Sequence, residues 1–300
     1  YRLGAYTLSE LGLGTPDDAT LWMADGTLSL GQSLEVGAHA WLLRDTTGGT
    51  GGALGVGPSS SLSVMQGGPL VNPYGDDPRP DENAGVDSTL GWISLDAGFN
   101  PRLTHGPLGI TALATVNLGS IRARENDTAP VLGQLFDVEA RLRWARGKGS
   151  VIRAEALYTT PDDGDTSNRY TGIVTAQSYG FAGAVHNTHG TRLLFSDPMS
   201  INRMTPLVAD VSGAGLGVLA FTGTVGFDPI PSKLNVKVGG GTALAPQRGM
   251  HGSEVNGQLS YEPWPFFTAS LAAAVLLPGD QALIDDTAWA GFAEVQWVAF

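Results

Sequence analysis

The sequence predicts an all-β chain that forms one domain over residues 1–300, a closed antiparallel transmembrane β-barrel of twelve strands. Three observations predict it. Apolar and polar residues alternate with a period of two in segment after segment. Short turns and long loops follow one another in strict succession, as in barrels that cross an outer membrane. The apolar positions are rich in Ala and Gly, which fill a packed core poorly, and aromatic residues gather beside the turns.

The alternation is clearest from Phe136 to Tyr158, FDVEARLRWARGKGSVIRAEALY. Phe136, Val138, Ala140, Leu142 and Trp144 alternate with Asp137, Glu139, Arg141 and Arg143; a turn follows at Arg146-Gly147-Lys148-Gly149; Ile152, Ala154, Ala156 and Tyr158 then alternate with Arg153 and Glu155. Strand side chains point to opposite faces in turn, so this is a hairpin with one apolar and one charged face. A helix would smear both sets around its circumference.

From the N-terminus, Tyr1 to Leu11 is a weakly patterned strand, and residues 19–29 and 34–43 form a hairpin in which Leu34, Val36, Ala38, Ala40 and Leu42 oppose Glu35, Gly37 and His39. Residues 45–87, rich in Gly, Ser, Pro and Asp, have the composition of an exposed loop. Gly91, Ile93, Leu95, Ala97 and Phe99 share one strand face, and Leu108 to Leu118 forms the next strand, followed by a polar loop from Gly119 to Pro130. Residues 160–213 carry little pattern; a structureless connection of that length is uncommon, so strands are expected near Thr171 to Ala184 and Thr191 to Phe195, and a hairpin there would raise the count to fourteen. Strands follow at 217–227, 234–238, 255–261, 267–275 and 287–300, with turns at Asp228-Pro229-Ile230-Pro231 and Pro263-Trp264-Pro265. Phe99, Trp144, Phe227, Tyr261, Trp264, Phe267 and Trp297 lie near turns, as an interfacial girdle would.

Composition narrows the function. The 300 residues include 42 Gly and no Cys, which excludes a disulfide framework, a thiolate metal site and a Cys nucleophile. A net charge of -12 argues against nucleic acid as a partner. The most apolar run, Phe266 to Leu277, is too short for a membrane helix, which needs about 20 residues; a barrel strand needs only about 9–11. The chain begins at Tyr1, without a visible signal peptide, so processing is expected.

Through its hairpin rhythm and terminal aromatic Phe300, nearly the whole chain resembles a Gram-negative outer-membrane β-barrel of the porin type. The stretch YGFAGAVHNTHGTRLLFSD, with the turn Glu262-Pro263-Trp264-Pro265, is distantly similar to alginate-export barrels. Counting back from Phe300 by twos meets Gln296 and Glu294, so the terminal signature departs from the family's by one residue. The resemblance implies a bacterial outer-membrane location, a diffusion channel or exporter, and no cofactor.

Four groups of residues are candidates for chemistry. Glu35, His39, Asp137, Glu139, Arg141, Arg143, Arg153, Glu155, Lys233 and Lys237 would line the pore and select hydrophilic, including acidic, solutes by charge; alternatively, cross-strand Arg–carboxylate pairs rigidify a narrow barrel. Arg169, His186, His189 and Arg192, with Arg203, would make residues 160–213 a constriction. Asp17, Asp18, Asp76, Asp77, Asp81, Glu82, Asp162, Asp163, Asp165, Asp285 and Asp286 fall in the long connections. They would be solvated loop tips, or would hold Ca²⁺ and bridge cations to lipopolysaccharide. Asp163, Asp165 and Ser167 have the spacing that begins a calcium loop, but Asn168 and Val174 break its remainder. Finally, no Ser, His and Asp spacing singles out a catalytic trio, so enzymatic activity is not expected, with a barrel hydrolase the least favoured alternative. The other alternative to a channel is a barrel subunit of a larger secretion, motility or polysaccharide-export assembly, held by membrane lipids and envelope proteins.

Overall fold

A computed structural model of the protein describes residues 1–7, 20–45, 87–123, 127–162, 169–174, 180–181, 184–185, 190–195, 211, 216–282 and 285–297. Its strands are β1 (Arg2–Thr7), β2 (Thr20–Leu30), β3 (Leu34–Asp45), β4 (Asp87–Phe99), β5 (Leu108–Ala123), β6 (Asp127–Arg143), β7 (Val151–Thr159), β8 (Gly180–Phe181), β9 (Ala184–Val185), β10 (Val218–Ile230), β11 (Leu234–Ala245), β12 (Gly249–Trp264), β13 (Phe267–Pro278) and β14 (Ala288–Trp297). Twelve of them form one antiparallel sheet in the order β1-β2-β3-β4-β5-β6-β7-β10-β11-β12-β13-β14. Every neighbour in the sheet is a neighbour in sequence except β7 and β10, which flank the long insertion. β8 and β9 pair only with each other, so the fourteen-strand alternative does not hold. The edge strands β1 and β14 make no ladder with one another among the described residues.

The period-two alternation sets the phase of every strand. In β4, Ile93, Leu95 and Phe99 are exposed, while Leu90, Trp92 and Ser94 between them are buried. In β10, Phe221, Val225 and Phe227 are exposed and Ala220, Thr222 and Thr224 buried. The sheet thus has an outer face of large apolar side chains and an inner face covered by the chain itself.

Two connections differ from expectation. The polar stretch from Gly119 to Pro130 continues β5 and β6, leaving only residues 124–126 between them, and β11 and β12 run on to Ala245 and back from Gly249. In both places the ladder runs beyond the stretches in which apolar and polar residues alternate. Within the insertion, residues 171–174 and 191–195 form no strand; they pack on the inner face instead.

The turn from Asn100 to Pro107 is folded under the sheet. Asn100 Nδ2 donates to the carbonyls of Gly106 at 3.2 Å and Leu108 at 2.8 Å, and its Oδ1 accepts from His105 N at 3.0 Å. These bonds hold Asn100 and Leu103 at positive φ, 45° and 54°. A Cβ on Gly109 would stand 2.6 Å from the Asn100 carbonyl, so that close approach requires glycine.

Candidate functional site

The inner face divides into two zones. On the side of the long loops it is apolar. Leu21, Leu43, Leu90, Trp92, Val131, Leu135, Leu157, Val218, Ala220, Ala243, Ala274 and Leu276, drawn from β2 round to β13, form one buried cluster with Ile173, Val174, Leu193, Leu194 and Phe195 of the insertion. On the side of the short turns it is polar and charged.

Three anchors hold the insertion in place. Trp92 Nε1 donates to the Val174 carbonyl at 2.7 Å, and Asn117 Oδ1 accepts from Val174 N at 3.1 Å, so both backbone groups of one buried residue are satisfied by the wall. The Glu254 carboxylate, itself buried, accepts from three successive backbone N–H groups, those of Arg192, Leu193 and Leu194, at 2.6–2.8 Å. Below it on β12, Asn256 Nδ2 donates to the Gly190 carbonyl at 2.7 Å and Gln258 Oε1 accepts from Arg192 Nη2 at 2.7 Å. Arg192 also lies over the Phe292 ring, 5.7 Å from its centroid.

In the polar zone, His39 on β3 lies between two carboxylates, its Nδ1 3.0 Å from Asp25 on β2 and its Nε2 2.6 Å from Asp96 on β4. Trp41 Nε1 donates to Asp25 at 2.9 Å and Arg2 pairs with it at 2.5 Å. Gly37 makes room for this network, since a Cβ there would meet both Asp96 and His39. Across the sheet, Arg141 pairs with Glu139 and donates to the Pro101 carbonyl at 3.1 Å, while Arg143 donates to the Leu103 carbonyl at 3.0 Å. Both arginines therefore tether the folded-under turn. Glu139 stands directly opposite Glu155, and Arg141 directly opposite Arg153.

Glu35, His39, Asp137, Glu139, Arg141, Arg143, Arg153, Glu155 and Lys237 all lie on inner-face positions of their strands. Lys233 lies in the β10–β11 turn, exposed, beside a cleft of about 280 Å³ that Lys148, Asn235, Ser260 and Glu262 also line. Arg169 is exposed and Arg192 is one of the insertion's anchors. His186, His189, Arg203, Asp163 and Asp165 lie outside the described residues, as do most of the acidic loop residues. Among the described residues, no three His, Asp or Glu side chains are placed to hold a metal ion.

Sequence reasoning missed Asp25, Asp96, Trp92 and Glu254. Glu254 had a usable signal: it extends the polar series Asn256, Gln258 and Ser260 by one strand repeat. Trp92 and Asp96 had the phase of β4, which sets them opposite Ile93, Leu95 and Ala97; what no local signal gave was the partner of each, because it lies on another strand or in the unpatterned insertion.

Asp280, after β13, accepts from Met250 N at 2.6 Å, and this bond holds its carboxyl below the ordinary carboxylate range. A carboxyl with a lowered folded-state pKa stabilises the fold above its unfolded value, about 3.9, and loses that contribution as pH falls through the lowered value. Asp280→Asn is expected to melt below the wild type near neutrality, with the gap closing under more acid conditions. Thermal melts in detergent at a series of pH values check this; a gap that widens in acid would contradict it.

The fold and site define a class: a twelve-stranded antiparallel sheet, apolar outside, whose inner face is part polar and part filled by its own insertion. No family model matches the chain, and no curated protein matches it. Among solved structures it is similar to Wzi, an outer membrane protein involved in group 1 capsule assembly in Escherichia coli, described as a carbohydrate-binding β-barrel. That likeness has 13% identity and a TM-score of 0.46, over 98% of this chain and 54% of the other. It is also similar to the CymD monoaromatic hydrocarbon channel, with 12% identity and a TM-score of 0.38, over 98% of this chain and 76% of that one. The chain therefore spans about half the length of Wzi.

Proposed function

We propose that the chain is a bacterial outer-membrane barrel, closed by β1 lying against β14, and that its interior is a conduit for hydrophilic solutes with residues 160–213 as the constriction. The observation that carries this is the inversion of the sheet. His39, Ser94, Asn117, Glu139, Glu155 and Glu254 are buried, while Ile93, Leu95, Phe136, Val138, Phe221, Val255 and Leu271 are exposed. Water-soluble monomers rarely expose an apolar patch beyond a few hundred Å²; here the apolar face extends over every strand from β2 to β14, and acyl chains are the solvent that suits it.

Aromatic residues border that face at both ends. On the turn side Trp144 stacks on Phe227 at 5.5 Å and Trp264 on Phe267 at 5.0 Å. On the loop side stand Trp22, Tyr158 and Trp289. Trp289 and Trp297 are both exposed on β14, eight residues apart, about 26 Å along a strand. At a tilt of about 40° that is about 20 Å across the bilayer, close to the height of a barrel's apolar band.

A second reading is a barrel subunit of an envelope assembly that conducts nothing. The apolar cluster on the loop side favours it, because the wall from Leu21 to Leu276 is packed against the insertion. Recordings in planar lipid bilayers separate the two. The conduit is expected to give ohmic current steps, whereas a silent bilayer supports the subunit. A protein that stays monodisperse without detergent would sink both.

A further inference from the structure

We infer that the turn-side end of the sheet docks on anionic phospholipid headgroups through Arg102, Arg146, Lys148 and Lys233. The inference rests on the barrel reading and names the lipid that this end of the barrel selects.

Charge is unevenly distributed between the two ends of the strands. The five short turns, residues 31–33, 100–107, 144–150, 231–233 and 265–266, contain these four basic residues and no Asp or Glu. The connections at the other end hold an excess of acids, among them Asp17, Asp18, Asp76, Asp77, Asp285 and Asp286, in a chain whose net charge is -12. All four basic side chains are exposed, that of Arg102 to 78%. The acids near them are fewer. Glu35 lies 3.8 Å from Arg102, and Glu262 borders the cleft that Lys148 and Lys233 share. Asp228 is buried, its carboxylate taken up by Gly149 N at 2.8 Å and Asn235 Nδ2 at 2.7 Å. The tips therefore keep an excess of positive charge. Each basic turn also leaves the sheet beside an exposed apolar residue: Phe99 precedes Arg102, Trp144 precedes Arg146 and Lys148, and Ile230 precedes Lys233. That order, apolar side chain and then cation, follows the order of depth from acyl chain to headgroup phosphate. The uncharged β12–β13 turn adds two exposed rings, Trp264 and Phe266. Phe266 has φ 71°, a conformation that bulky residues rarely adopt, and such strain persists where the placing of a side chain matters to function. A soluble acidic partner would match the cations but would give these rings no apolar surroundings. An anionic lipid surface supplies both.

The test places the full chain in phosphatidylcholine vesicles with a trace of spin-labelled phosphatidylglycerol or spin-labelled phosphatidylcholine. Electron spin resonance reads the fraction of each label immobilised against the protein. At low ionic strength phosphatidylglycerol is expected to associate about threefold or more tightly than phosphatidylcholine, averaged over the boundary lipids, and high salt should erase the preference. Replacing all four residues, as Arg102→Gln, Arg146→Gln, Lys148→Gln and Lys233→Gln together, should also erase it. Arg102→Lys with Arg146→Lys keeps the charge and should keep the preference; its loss there would overturn the inference. If the fourfold variant does not fold, Lys148→Gln with Lys233→Gln decides: a reduced preference supports the inference and an unchanged one overturns it. Equal association of the two lipids with the wild type also overturns it and leaves the basic tips to a soluble acidic partner. Failure of the barrel reading looks different, because then neither label is immobilised and both readings fall. A silent bilayer with the lipid preference intact counts against the conduit alone.

Discussion

Glu254→Ala is expected to destabilise the protein by about 3–5 kcal/mol, or to release residues 190–195 from the wall. The carboxylate is buried and satisfies the backbone N–H groups of Arg192, Leu193 and Leu194 together. Hydrogen bonds to a charged acceptor contribute about 1.5–3 kcal/mol each, and deleting the acceptor strands three donors at once, which is why the effect exceeds that of one lost bond. Part of the loss is recovered if water reaches the emptied site, so the total falls short of the simple sum. Glu254→Gln keeps an acceptor oxygen and should lose less. Hydrogen exchange of the three amides reads the effect directly: protection should fall in the alanine variant and partly return in the glutamine variant. Unchanged protection would show that the insertion is held by its apolar contacts alone.

Leu95→Arg tests the solvent of the outer face. Leu95 is 62% exposed on β4. It lies four residues in from Phe99, which in the proposed barrel is about 10 Å toward the centre of the bilayer at the usual rise and tilt. Arginine near the midplane of a lipid-facing barrel wall costs about 2–4 kcal/mol. On a water-facing surface the same substitution stays within about ±0.5 kcal/mol. Urea unfolding in lipid vesicles should show the larger loss. A variant as stable as the wild type would mean that Leu95 does not touch acyl chains.

The wall strands were legible because their signal is local. Leu34 to Leu42, Gly91 to Phe99 and Phe136 to Tyr158 each carry enough alternation to fix the strand and its phase, and the phase alone places Glu35, His39, Arg141 and Arg153 on one face. The ends of strands were less legible. The Gly239-Gly240-Gly241 run and the polar residues from Gly119 to Pro130 lack alternation, so nothing local marks them as strand, and only their pairing with neighbouring strands shows it. The networks were not legible at all. Asp25, His39 and Asp96 meet only because three strands align in register, and Glu254 meets residues 192–194 only because an unpatterned segment folds inward. Arg141 and Arg143, expected to face solute, are instead bound to the carbonyls of a turn forty residues earlier in the chain.

The two-zone inner face bears on any attempt to enlarge the bore. In a barrel lined by polar residues throughout, cutting out an inward-folded segment leaves a wider water-filled hole. In the barrel proposed above, the cut would bare a greasy band from Leu21 to Leu276, which water wets poorly. The wall and its filling are two halves of one core, and an engineered opening would have to repaint the band with hydrophilic side chains before removing what covers it.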